Sequence, residues 1–149
     1  MQDLEKGCES GGIWEEVWEN VPDKVKELQE MVHRQIESND ENIPAVLDDC
    51  LWAVMELYKD SSFLTAKKLE FSYSIRGNEM FVTRKDKSIT KATVLLAFHK
   101  AIELQRKQVE ITGPKKLGTF GASYLYPIFL QLGIIRRNQQ ISFKLFSTV

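Results

Sequence analysis

An α+β fold is the class this sequence predicts, on two periodicities and one asymmetry of charge. Up to about residue 60 apolar residues recur every three or four positions, the spacing of helices with one buried face. From Leu69 to Ile75 apolar residues alternate with polar ones, as in a half-buried strand, and Gly77-Asn78 follows as a two-residue hairpin turn. The charge inverts between these halves. Residues 1–60 hold sixteen Asp/Glu against five Lys/Arg, residues 61–149 hold fifteen Lys/Arg against five Asp/Glu, and the sum is a formal net charge of only −1. Such a divide implies an acidic partner for the basic half, or the chain's own acidic half lying against it.

The totals suit one domain. With 149 residues, 43% apolar and 28% charged, the composition is that of a globular protein. A chain of this length buries roughly 68–70% of the surface its unfolded form exposes, so its core needs no disulfide or metal. We expect a flexible lead over 1–12 and a single compact domain over 13–149, with an acidic helical part at 13–60 and a basic α+β part at 61–149. The lead is acidic and polar, unlike a secretory signal or an Arg-rich transit peptide. No apolar run reaches the ~20 residues of a membrane helix, so no membrane is expected as a partner. Cys8 and Cys50 make no disulfide framework and read as reduced thiols of a nuclear or cytoplasmic protein.

The elements follow in order. Ile13, Trp14, Val17, Trp18 and Val21 lie at helical spacing opposite an acidic face. Pro22 suits the first turn of a second helix, striped by Val25, Leu28, Val32 and Ile36 and running to about Ser38. Asn39-Asp40-Glu41-Asn42 breaks it, and Asn42 is placed to cap a third helix, with Pro44 in its first turn. Leu47, Cys50, Leu51, Val54 and Leu57 or Tyr58 stripe that helix to about Asp60. A strand over 69–76 then turns at Gly77-Asn78, a type II′ turn. Counting outward pairs Arg76 with Glu79 as an ion pair, Ile75 with Met80, Tyr73 with Val82 and Ser72 with Thr83. A one-residue slip would expose Phe71, Tyr73 and Ile75, each worth about 1.5–3 kcal/mol of burial.

Thr90 caps a helix from Lys91, and Ile89 and Val94 are placed as a hydrophobic staple. Val94, Ala97, Phe98, Ala101, Ile102 and Val109 form its inner face; Lys100, Glu103, Arg106, Lys107 and Glu110 face water. Gly113-Pro114 ends it. A glycine-punctuated basic loop, Lys115-Lys116-Leu117-Gly118-Thr119-Phe120-Gly121, leads to an aromatic helix at Ser123 to Leu132 that contains Pro127 and stops at Gly133. Ile134 to Leu145 reads as a final hairpin about Asn138-Gln139-Gln140.

A helix, a connection, a second helix closing in Leu132-Gly133-Ile134-Ile135 and a basic hairpin together resemble the winged-helix arrangement over residues 91–146. The resemblance implies that the second helix enters a DNA major groove while Arg136, Arg137 and Lys144 touch flanking phosphates. Two features depart from it. About ten residues separate the helices where three or four are usual, and the second helix offers almost no Arg, Lys or Asn to read base edges.

Catalytic patterns fail one by one. Cys8, His33, Cys50 and His99 lack the short spacings of a zinc site, and Cys50 on a buried stripe has no orienting partner as a nucleophile. Glu15-Glu16 and Asp48-Asp49 diverge by about 100° on a helix. Glu70 and Glu79 are followed two positions on by Ser72 and Phe81, not by the lysine of a metal-dependent nuclease. Residues 113–119 lack the Gly-Lys-Ser/Thr order of a phosphate loop. The reading is non-enzymatic, with no cofactor. Arg84, Lys85, Lys87, Lys91, Lys115, Lys116, Arg136 and Arg137 are either dispersed solubilising charges or one electropositive face for phosphates. Because Phe71 and Tyr73 belong to the buried face, no exposed aromatic is evident for stacking on single strands, which favours double-stranded nucleic acid or a nucleoprotein. Trp14 and Trp18, four apart, pack on the core as an arm or anchor a protein partner. The expectation is a nuclear or cytoplasmic chromatin or nucleic-acid binding module; the alternative is an adaptor whose basic half binds an acidic protein.

Overall fold

The structure, a computed structural model, describes residues 23–136. The expected Trp14–Trp18 helix, Pro22, Arg137 and most of the final hairpin lie outside these residues. Helix α1 (Asp23–Glu37) buries Val25, Leu28 and Val32, as their spacing predicts. Its last turn is held from outside. Gln35 donates through Nε2 to the carbonyls of Asp40 (3.0 Å) and Asn42 (3.1 Å). Arg106 donates through Nη2 to the carbonyls of Gln35 (2.9 Å) and Asp40 (2.8 Å). Asn42 is not a cap. Its amide donates to Asp40 Oδ1 at 3.0 Å, which commits residues 40–42 to a turn of their own. Helix α2 (Ala45–Leu57) starts after Pro44 without a side-chain cap. It buries Trp52 and Met55 besides the expected Leu47, Cys50, Leu51 and Val54, and Tyr58 rather than Leu57 turns inward.

The strand expected over 69–76 is divided at Ser72: the Thr83 amide donates to the Ser72 carbonyl (3.0 Å), as the expected pairing requires, but the Ser72 amide donates to the Thr83 hydroxyl (3.1 Å) and not to its carbonyl. Strand β1 (Phe63–Leu64) pairs antiparallel with β2 (Glu70–Phe71). Strand β3 (Tyr73–Arg76) pairs with β4 (Glu79–Val82) in the register counted from the turn: Tyr73 with Val82, Ile75 with Met80, Arg76 with Glu79. Gly77 has φ +61° and Asn78 has no positive φ, the sign pattern of a II′ turn. A third strand, β5 (Ile89–Thr90), pairs with β4. Leu69, expected inward, is exposed. Arg76 and Glu79 are opposite but make no ion pair: the guanidinium lies 4.4 Å from the Phe81 ring centroid, and Glu79 Oε1 accepts the Ser88 hydroxyl at 2.6 Å.

Helix α3 (Lys91–Arg106) begins as expected. Thr90 Oγ1 accepts the Thr93 amide at 3.2 Å, and Ile89 and Val94 are both fully buried across the cap. It ends seven residues before Gly113. Gln108 adopts φ +63°, its amide donates to the Gln105 carbonyl (3.0 Å), and the Val109 amide donates to Leu104 (2.8 Å). This is a Schellman ending with glutamine where glycine is usual, and it takes Val109 off the buried stripe. A 3-10 turn (Pro114–Lys116) leads to α4 (Ala122–Gln131), which buries Leu125, Tyr126, Ile128 and Phe129. Gly133, at φ +78°, closes α4 in the same way, with Ile134 donating to the Phe129 carbonyl (2.9 Å). Among the described residues the fold is therefore α+β, four α-helices with a two-stranded and a three-stranded antiparallel sheet around one apolar core.

Tyr73 ties the sheet to the helices: it is 1% exposed and its hydroxyl donates to the Met55 carbonyl at 2.6 Å. Burial, reinforced by Tyr58, Asp60 and Glu56, raises this phenol far above the ordinary tyrosine range. The folded state thus keeps a proton that the unfolded chain releases near pH 10, and Tyr73 contributes to a loss of stability as pH rises beyond that point. Tyr73→Phe, which orphans the Met55 carbonyl, is expected to cost about 1–3 kcal/mol in urea unfolding at neutral pH and to flatten that alkaline decline.

Candidate nucleic-acid interface

Two connections carry most of the cations singled out by the sequence: residues 83–88 between β4 and β5, and residues 107–121 between α3 and α4. The fold fastens one to the other. Gly121 has φ +78°, and a Cβ at this position would stand 2.3 Å from Ile89 Cδ1, so the second connection passes directly over β5. Phe120 is thereby held beside the first connection. Lys85 Nζ lies 4.3 Å from the Phe120 ring centroid and 5.9 Å from that of Tyr124, and Lys87 Nζ lies 5.8 Å from Phe120. Phe120 remains 45% exposed. Arg84, Lys87, Lys115 and Lys116 are exposed and Lys85 is half-buried. Lys115 and Lys116 stand on the 3-10 turn, which buried Leu117 anchors by donating its amide to the Pro114 carbonyl (3.0 Å). At the start of α3, the Lys91 amide donates to the Asn78 carbonyl (2.7 Å) and its Nζ lies 5.5 Å from the Trp52 ring.

None of these cations is neutralised by an ion pair among the described residues. The lysine–carboxylate pairs there are Lys24–Glu27 and Lys107–Glu103; His33 contacts Glu37 and His99 contacts Asp48, and of these four contacts only His99–Asp48, at 2.8 Å, joins the acidic part of the chain to the basic part. Between residues 23 and 136 the charge divide is left open toward solvent rather than closed inside the fold. An ammonium beside an aromatic face is less hydrated than a free one and keeps its full charge. The patch is suited to bind an anion that also has an apolar or π surface.

The structure separates Arg136 from this group. Its amide donates to Gln105 Oε1 at 3.1 Å, and its side chain lines a recess of about 340 Å³ with Lys26, Gln29, Glu30, His33 and Arg34 of α1. Arg137, Trp14 and Trp18 lie outside the described residues. Phe120 was missed by sequence reasoning, which counted its segment as a basic turn; the available signal was an aromatic ring two residues after Gly118 and directly before Gly121 in a lysine-bearing loop. Arg106 was expected to face water, and it is instead drawn inward to the carbonyls that close α1.

The other reactive groups have structural employment. Cys50 is buried, its Sγ rests 3.9 Å from the Lys24 carbonyl, and burial, with Glu27 nearby, raises its thiol above the usual range. His99 is held by Asp48 and His33 by Glu37. Among the described residues no three His, Cys, Asp or Glu side chains are grouped to hold a metal ion, and no helix is long and apolar enough to cross a membrane. Comparison with protein-family models, curated proteins and solved structures finds no match to this chain.

Proposed function

We propose that this chain is a non-catalytic module that binds nucleic-acid phosphates through the paired connections 83–88 and 113–121, with Arg84, Lys85, Lys87, Lys115 and Lys116 as the contacting cations and Lys91 at their edge. One observation supports this reading above the rest: the two ammonium groups of Lys85 and Lys87 are brought onto one exposed ring, with no carboxylate among the described residues in ion-pair contact. Within a winged-helix-like reading, α4 serves as a core element. Its Leu125, Tyr126, Ile128 and Phe129 are buried and its remaining residues include no Lys, Arg or Asn, so affinity resides in the connections and base-specific readout is not part of the function. A nuclear location and a protein partner for the acidic part, through Trp14 and Trp18, complete the proposal.

The test is a comparison of charge variants. Neutralising Lys85, Lys87, Lys115 and Lys116 together to Ala is expected to weaken binding of a generic oligonucleotide at 50 mM salt by at least about a hundredfold, and Arg136→Ala alone by less than about threefold. An acidic peptide captured with equal strength, and no oligonucleotide bound, would instead identify an adaptor for an acidic protein.

A further inference from the structure

The proposed nucleic-acid patch also specifies the form of nucleic acid, and this inference rests on that reading. We infer that it takes single strands, with Phe120 as the platform on which one base stacks. A duplex keeps its base faces inside the stack, so an exposed ring can gain from them only where bases are unpaired. The Phe120 ring is such a surface: 45% exposed, yet fixed in position by its neighbours in sequence. Leu117 is buried three residues before it, and Gly118 (φ +65°) and Gly121 (φ +78°) turn the chain out and back in left-handed conformations. Gly121 is held against Ile89, so the segment presenting the ring is backed by the three-stranded sheet.

The cations are placed to fit the same ligand. Lys85 and Lys87 approach the ring from one connection, so a phosphate next to a stacked base meets positive charge there, and Lys115 and Lys116 stand earlier in the connection that carries the ring. Lys85, now resting on the ring at 4.3 Å, exchanges that contact for a phosphate when a base takes the ring face. The expectation of duplex binding depended on there being no exposed aromatic, and Phe120 removes that premise. Stacking of this kind is tolerant of sequence.

Fluorescence anisotropy with a labelled oligothymidylate of about twenty nucleotides and a duplex of equal length tests the inference at 50 mM salt. Wild-type protein is expected to bind the single strand at least about tenfold more tightly. Phe120→Ala should weaken single-strand binding by roughly tenfold or more, Phe120→Trp should retain it, and duplex binding should change less than about twofold in either variant. Equal or tighter duplex binding, or an equal loss on both ligands in Phe120→Ala, would overturn the single-strand inference and leave phosphate binding standing. Failure of the wild type to bind either ligand would overturn the phosphate reading itself. A matching unfolding midpoint for each Phe120 variant separates these outcomes from loss of fold.

Discussion

Gly121→Ala is expected to destabilise the protein by about 2–4 kcal/mol and to abolish most oligonucleotide binding with it. Two costs combine. A side chain at φ +78° is in the left-handed region, which costs an L-residue about 1–2 kcal/mol. The new methyl would also stand 2.3 Å from Ile89 Cδ1 and 2.9 Å from Cγ1, in a side chain with no exposure, and overpacking of a closed site typically costs about 1–3 kcal/mol. The connection must lift off β5 to relieve the contact, and it takes Phe120 away from Lys85 and Lys87 as it moves. Urea unfolding of Gly121→Ala, Ile89→Val and the double variant checks both parts. Loss of the Ile89 terminal methyl should make the double variant more stable than the sum of the singles predicts. Strict additivity would show that the contact contributes nothing.

Arg106→Ala carries the second large effect, about 3 kcal/mol. Arg106 sits at the last position of α3, where a surface helix would point its guanidinium at water. It donates instead to the carbonyls of Gln35, in the final turn of α1, and Asp40 in the following linker. A positive charge here also meets the negative end of the α1 dipole. Hydrogen bonds from a charged donor contribute about 1.5–3 kcal/mol each, and their loss leaves the Gln35 carbonyl without this donor. Arg106→Lys should recover only part, because one ammonium on a shorter fork cannot serve both carbonyls equally. The readout is the urea midpoint at unchanged slope; a cost below about 1 kcal/mol for Arg106→Ala would remove Arg106 as the tie between α1 and α3.

Local signals made much of the fold legible. The Gly77-Asn78 turn set the β3–β4 register because two residues and a face pattern admit one pairing, and the Thr90 cap with its Ile89–Val94 staple is written in six consecutive positions. What escaped was non-local. Nothing near Ser72 shows that the Thr83 hydroxyl takes its amide and divides the strand. Gln108 ends α3 in a conformation that sequence reasoning assigns to glycine. The Arg76–Glu79 ion pair was a fair expectation from register, but the Phe81 ring and the Ser88 hydroxyl were stronger local competitors. The cations of the candidate site could be named one by one. The meeting of Lys85 and Lys87 on Phe120 could not, because it depends on Gly121 crossing β5, a contact between residues 32 positions apart.

The salt dependence of oligonucleotide affinity bears most directly on the central reading, that the lysines of the two connections hold phosphates. With four of them engaged on a single strand, the logarithm of the association constant should fall linearly with the logarithm of salt concentration at a slope of about −3, and each Lys→Ala variant in the group should make that slope shallower by about 0.7. A slope near zero, or one unchanged when Lys85, Lys87, Lys115 and Lys116 are all replaced by Ala, would contradict it.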